Sequence, residues 1–108
     1  MFDSYDKLVI AGLAKEYFGS LLFSRGSRSQ QEFVARAIAE LTGVQEGTRR
    51  FEELSERLEK SVRKLSEWEV IDLKEYEVKL TAWGQSVAKS ISDAEYKKIV
   101  EEITKKYS

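Results

Sequence analysis

The sequence contains no cysteine, no histidine, no asparagine and no proline, and it has a single methionine. Without cysteine there is no disulfide to staple a small fold and no thiolate to attack a substrate or hold a metal, which suits a reducing compartment. Without histidine, Ser-His-Asp catalysis, imidazole metal ligation and the commonest general base are excluded together. Few thermolabile side chains beside abundant Lys and Glu is a composition found in proteins from hot environments, so a thermophilic source is expected. A long apolar run is missing as well. The stretch from Leu8 to Phe23 is interrupted by Lys15 and Glu16 and is too short to span a bilayer. Met1-Phe2-Asp3-Ser4 lacks the basic start of a signal peptide, so no membrane association is expected and the cytoplasm is the expected location.

What is present is a chain of 108 residues, 42% hydrophobic and 34% charged, the balance of one globular domain. A chain this size buries about 60–70% of its unfolded surface, so oligomerisation is a reasonable aid to stability. The net charge is −1, which argues against a basic surface overall. Its distribution is uneven. Between 48 and 68 stand Arg49, Arg50, Arg57, Lys60, Arg63 and Lys64 against Glu52, Glu53, Glu56, Glu59 and Glu67, whereas between 29 and 47 Arg36 stands alone against three Glu.

With proline absent, glycines punctuate the chain. Leu8, Ala11, Ala14, Tyr17, Phe18, Leu21 and Leu22 recur at three-and-four spacing, predicting a helix over about 4–24 that closes at Ser24-Arg25-Gly26-Ser27. Ser29 and Glu32 form a capping-box pair before a second helix with the face Phe33, Val34, Ala37, Ile38 and Leu41, ending at Gly43. From Thr48 to Trp68, the stripe Phe51, Leu54, Leu58, Val62, Leu65 and Trp68 fits one helix, or two joined by a tight turn near 59. Alternation in Val70–Leu73 and Tyr76–Leu80 then predicts a hairpin. Thr81 is placed to cap a helix carrying Trp83, Val87 and Ile91, and Ser92 with Glu95 starts a last helix over 92–107, packed through Tyr96, Ile99, Val100, Ile103 and Tyr107. The fold class is therefore mainly α with a small β-hairpin, in one domain of 1–108 with a core of 29–91.

The order of helices and hairpin is that of a winged helix-turn-helix with extra N- and C-terminal helices. Gly47-Thr48-Arg49-Arg50-Phe51-Glu52-Glu53-Leu54 resembles the segment leading into the second helix of HxlR-type transcription regulators. Tyr76 to Val87, with Leu80-Thr81-Ala82-Trp83-Gly84 at its centre, is similar to the passage from wing to helix shared by HxlR, MarR and PadR types. The combined resemblance covers roughly 33–91. It departs from the family between Leu58 and Val70, an interval about one helical turn short. The resemblance implies DNA binding and transcriptional regulation, with a recognition helix at about 60–68 and a wing at about 70–80.

On that reading Val62, Leu65 and Trp68 face the core, and Lys60, Ser61, Arg63 and Lys64 face outward towards a major groove. Lys74 stands at the wing tip with Lys79 beside it, and Arg49 and Arg50 reach the phosphate backbone. Double-stranded DNA is then the partner. A homodimer through the terminal helices is expected from their surplus of apolar residues. The bland alternative is that Glu53–Arg57, Glu56–Lys60 and Glu59–Arg63 are i,i+4 pairs on a solvated helix, each worth about 0.2–0.5 kcal/mol. Trp68 and Trp83 fall on apolar stripes and read as core or subunit-contact residues rather than stacking platforms.

The glycines form no phosphate loop, there is no metal-ligand spacing, and no pair of carboxylates is gathered for acid–base work. No enzyme activity, cofactor, metal or small-molecule ligand is expected. Two rivals remain. A winged-helix adaptor that binds protein is favoured by the near-neutral charge and the glutamates at 52–59. A helical assembly module would follow if 49–68 were a single long helix.

Overall fold

The computed structural model describes residues 1–24 and 28–108. Among them are five helices and three strands: α1 (Ser4–Glu16), β1 (Ser20–Leu22), α2 (Gln30–Ala39), α3 (Arg49–Glu67), β2 (Ile71–Leu73), β3 (Glu77–Leu80), α4 (Ala82–Ser90) and α5 (Asp93–Lys106). The protein is thus mainly helical with a small three-stranded antiparallel sheet. No helix among the described residues is long and apolar enough to cross a membrane.

α1 is the centre of the fold. Asp3 caps it reciprocally with Asp6: each backbone N–H donates to the other's carboxylate, at 2.9 and 3.0 Å. Leu8, Val9, Ile10, Ala11 and Leu13 are wholly buried. A helix apolar all round must be covered all round, and α2, α3, α4 and α5 all pack on it. The apolar residues of α1 and α5 are thus largely covered within the chain, whereas Phe18 and Leu22, from the same predicted stripe, stay exposed. Ile99 and Ile103 of α5 are buried too, and α5 is pinned to α1 by Lys7–Glu95 at 3.0 Å, Lys15–Asp93 at 2.7 Å and the Tyr5–Tyr107 hydroxyls at 3.2 Å.

The helix expected to run to 24 stops at Glu16. Tyr17 ends it, Phe18 and Gly19 take left-handed conformations (φ 55° and 93°), and the Gly19 N–H donates to the Leu13 carbonyl. The chain then enters β1, whose Ser20, Leu21 and Leu22 lie opposite Lys79, Val78 and Glu77 of β3. A three-residue strand has too little period-two signal to compete with a helical stripe, and its partner lies far along the chain. Of the expected turn cluster Ser24–Ser27, the part from 25 to 27 falls outside the described residues.

The hairpin forms as expected, with Ile71, Asp72 and Leu73 opposite Leu80, Lys79 and Val78. β3 is the central strand, giving the order β1-β3-β2. The interval 49–68 is one continuous helix of 19 residues, capped by Thr48, whose hydroxyl accepts from the Phe51 N–H. Phe51, Leu54, Leu58, Val62 and Leu65 form its buried stripe. There is accordingly no separate recognition helix at 60–68. Two capping boxes are half-formed: Ser29 and Ser92 accept as expected, but the Glu32 carboxylate goes to Arg28 and that of Glu95 to Lys7.

Val70 accepts twice at the junction of sheet and α4. Its carbonyl takes the Thr81 N–H at 3.1 Å and shares the Thr81 hydroxyl, at 3.0 Å, with the nearer Glu69 carbonyl at 2.7 Å, and the same hydroxyl oxygen caps the Gly84 N–H. The Leu-Thr-x-x-Gly signature is thus the seam along which α4 lies against the hairpin.

Candidate nucleic-acid interface

α3 exposes its side away from the core stripe, and its two flanks differ in charge. Arg50, Arg57 and Lys64 recur two turns apart and so share one flank, with Trp68 continuing it. Glu52, Glu59 and Ser66 mark the other. The basic flank meets the N-terminal segment. Arg57 donates to Asp3 at 2.7 Å and lies over the Tyr5 ring at 4.2 Å. Lys64 pairs with the buried Asp6 and lies over the Trp68 ring at 5.2 Å. Burial opposes ionisation of Asp3, but its hydrogen bond from the Asp6 N–H and the Arg57 charge outweigh that and lower its pKa.

The sequence-derived candidates therefore separate. Arg49 and Arg50 lie exposed in the first turn of α3; Arg49 stands 3.7 Å from Glu53 in an ion pair open to solvent. Lys60 is exposed, and among the described residues neither it nor Arg50 has an ion-pair partner. Arg63 is exposed and holds Glu59 through Nε and Nη2 at 3.1 and 2.7 Å. These four share the solvent side of one rigid helix.

Three candidates are placed elsewhere. Ser61 is 1% exposed and accepts from Arg57 at 3.3 Å, so it does not face outward. One unbroken helix rotates it towards α1, which a helix restarting at 60 need not have done. Lys64 is turned the same way and neutralises Asp6. Lys79 lies on the outer face of β3, where it shares a groove with Lys15 of α1 and Lys89 of α4, away from α3. Lys74 stands exposed at the hairpin turn, 3.6 Å from Asp72.

Trp68 and Trp83, expected in the core or at a subunit contact, are 41% and 47% exposed and so not core residues; they flank Phe2, each ring 6.0 Å from it. The role of Arg57 as the α1–α3 link was not singled out from sequence. The signal was present in Asp3, but an N-cap and an ion-pair partner 54 residues away are indistinguishable without the fold. A small cleft of about 370 Å³ lined by Arg57, Lys60, Ser61 and Lys64 lies on this basic flank.

The same helix carries opposing charge. Glu52 accepts both its bonds from Arg36, at 2.8 and 2.9 Å, while Glu53 and Glu56 are exposed on the outward side. Among the described residues no group of three or more acidic, His or Cys side chains is placed to hold a metal ion. Comparison of the chain with protein-family models, with curated protein sequences and with solved structures returned no match.

Proposed function

We propose that the chain is a winged-helix DNA-binding protein acting in transcriptional regulation, with α3 as the recognition helix and the β2–β3 hairpin as the wing. The observation that carries this reading is the topology: helix, strand, helix, helix, hairpin, with strand order β1-β3-β2, the arrangement of winged-helix domains. On this reading α2 and α3 are the helix-turn-helix pair, and the hairpin follows directly on the helix that would enter the major groove. Arg50 and Lys60, without an ion-pair partner among the described residues, supply cations for phosphates. Arg49 and Arg63 sit in solvent-exposed i,i+4 pairs of about 0.3–0.5 kcal/mol, weak enough to be exchanged for a phosphate. Lys74 extends the same charge to the wing. A cytoplasmic location belongs to this reading.

A second reading has its own support. The outward side of α3 carries Glu53 and Glu56 as well as the cations, so its field is mixed. That pattern fits a winged-helix module whose partner is a protein.

The test is fluorescence anisotropy of a labelled mixed-sequence duplex at low and physiological salt. Arg50→Ala/Lys60→Ala is the informative variant, because neither side chain has a structural partner. Binding should weaken about tenfold, and the slope of log affinity against log salt should fall by about 2. No salt-sensitive binding by the wild type would overturn the DNA reading and leave the protein partner.

A further inference from the structure

Among the described residues, the large apolar side chains that stand exposed fall mainly into two groups, one beside β1 and one beside β2, the two outer strands of the sheet, with Lys79 of the first groove opposite Asp72 of the second across the ladder. Phe18 is 93% exposed, and it stands at the mouth of a groove of about 620 Å³ that Ala14, Leu80 and Ala88 floor. Leu22 is exposed on the same face of β1 as Ser20, which lines that groove. Its rim is basic: Lys15, Lys79 and Lys89. Lys15 is answered by Asp93, whereas Lys79 and Lys89 have no ion-pair partner among the described residues.

The second group is Met1, Trp68 and Trp83 with Phe2 between the two indoles. The tryptophans bound a groove of about 630 Å³ floored by Ile71 and Leu73, with Glu69 and Asp72 on its rim. Lys74 approaches Asp72 at 3.6 Å, and the Lys64 ammonium beside Trp68 is neutralised by Asp6. Glu69 has no ion-pair partner among the described residues.

Backbone conformation singles out the same two places. Among the described residues, Phe18 and Glu69 are the non-glycine residues at positive φ, 55° and 59°. Each occupies the left-handed position after a helix, where glycine is favoured and a side chain costs stability. A fully exposed phenylalanine is doubly unfavourable there, since its ring also stays in water. Strain of this kind at an exposed position points to a function outside the fold itself. Here the two strained residues are the apolar plug of one groove and the acidic rim of the other.

We propose that these faces bind each other, so that the Phe18 face of one copy docks against the Trp68–Trp83 groove of a second copy. The occupant is a second copy because this chain carries both complementary halves: an exposed aromatic ring with free lysines, and an aromatic-walled groove with free carboxylate. Two identical faces would set lysine against lysine or glutamate against aspartate, so the contact is head-to-tail. Such a contact leaves one face free at each end and grows into rings or chains. A patch of this size gives weak, concentration-dependent association. The inference is independent of DNA binding.

Sedimentation velocity without DNA, from micromolar to millimolar protein, tests it. The wild type should associate with rising concentration, less so in high salt. Phe18→Asn, which suits the left-handed position, and Trp83→Ser should each weaken association about tenfold or more while keeping the wild-type circular dichroism spectrum. An equimolar mixture of the two variants retains one intact pair of faces and should form a dimer that grows no further. Lys79→Glu/Lys89→Glu mixed with Glu69→Lys restores opposite charge at both contacts, so each variant alone should stay dispersed while the mixture grows by alternation as the wild type does. A wild type that stays monomeric throughout, variants that associate as the wild type does, or mixtures that remain monomeric would each overturn the proposal.

Discussion

Gly84→Ala is the sharpest test of how α4 is seated. Replacing glycine by alanine in a helix interior stabilises by about 0.8–1 kcal/mol, and by less at Gly84, which lies in the first turn of α4. A Cβ at Gly84, however, would lie 2.2 Å from the Val70 carbonyl oxygen and 3.1 Å from Leu80 Cδ2. The nearest atom is backbone, in a carbonyl that accepts both the N–H and the hydroxyl of Thr81. Relief requires α4 to move off the hairpin by close to an ångström, which stretches two hydrogen bonds of about 0.5–1.5 kcal/mol each and adds overpacking of about 1–3 kcal/mol. Set against the gain in helix propensity, a net loss of about 2–4 kcal/mol is expected. For a domain of this size that lowers Tm by roughly 10–25 °C, read by calorimetry and checked by urea titration. Gly12→Ala is the control. Its Cβ would meet the tips of Leu41 and Ile38 at 2.9 and 3.3 Å, side-chain ends that can turn aside, so its net effect should stay within about 1 kcal/mol. Equal effects at the two glycines, or a neutral Gly84→Ala, would refute the seam.

Two further substitutions follow from the α3 boundary and its basic flank. Glu69→Gly should stabilise by about 0.5–1 kcal/mol in urea titration, because Glu69 completes a Schellman turn (Val70 N–H to Leu65 carbonyl at 2.9 Å, Glu69 N–H to Ser66 carbonyl at 3.1 Å) in a conformation glycine prefers; a loss of stability would show that the carboxylate has a role in the fold. Lys64→Met should destabilise by about 2–3 kcal/mol at neutral pH in the same assay, since it strands the buried Asp6, less than a fully buried pair because the lysine is one-third exposed; an unchanged midpoint would show that Asp6 is satisfied without it.

The parts of this fold legible in the sequence are those fixed by local chemistry. Thr81, Ser29 and Ser92 all cap the helices their positions suggested, and the alternation at 70–80 forms the hairpin in which Ile71 faces Leu80. The helix stripe at 51–65 is buried as its spacing required. What the sequence left open was decided at long range. β1 is strand because β3 offers it a ladder, although Tyr17, Phe18, Leu21 and Leu22 continue a helical period. The choice between one helix and two at 49–68 rested on whether α1 and α2 offered a continuous surface to pack on, and they do. The candidate site suffered from the same gap. Once the helix is unbroken, Ser61 turns inward and Lys64 turns to Asp6, so two of the four residues expected on its outer face serve the fold instead.

Of the six cations of α3, Arg57 and Lys64 hold the N-terminal acids, Arg49 and Arg63 share glutamates, and Arg50 and Lys60 have no ion-pair partner among the described residues. Each phosphate contact contributes about 0.9 to the salt slope, so one copy relying on that last pair would bind DNA weakly at physiological salt. Copies joined head-to-tail would present several recognition helices at once, raising the effective concentration of each after the first has bound. A helix whose own charge is balanced would then discriminate through the number of neighbours engaged rather than through the strength of one contact. On this view the mixed charge of α3 and the strained, exposed Phe18 are parts of one arrangement: weak individual affinity, made useful by a weak and directional contact between copies.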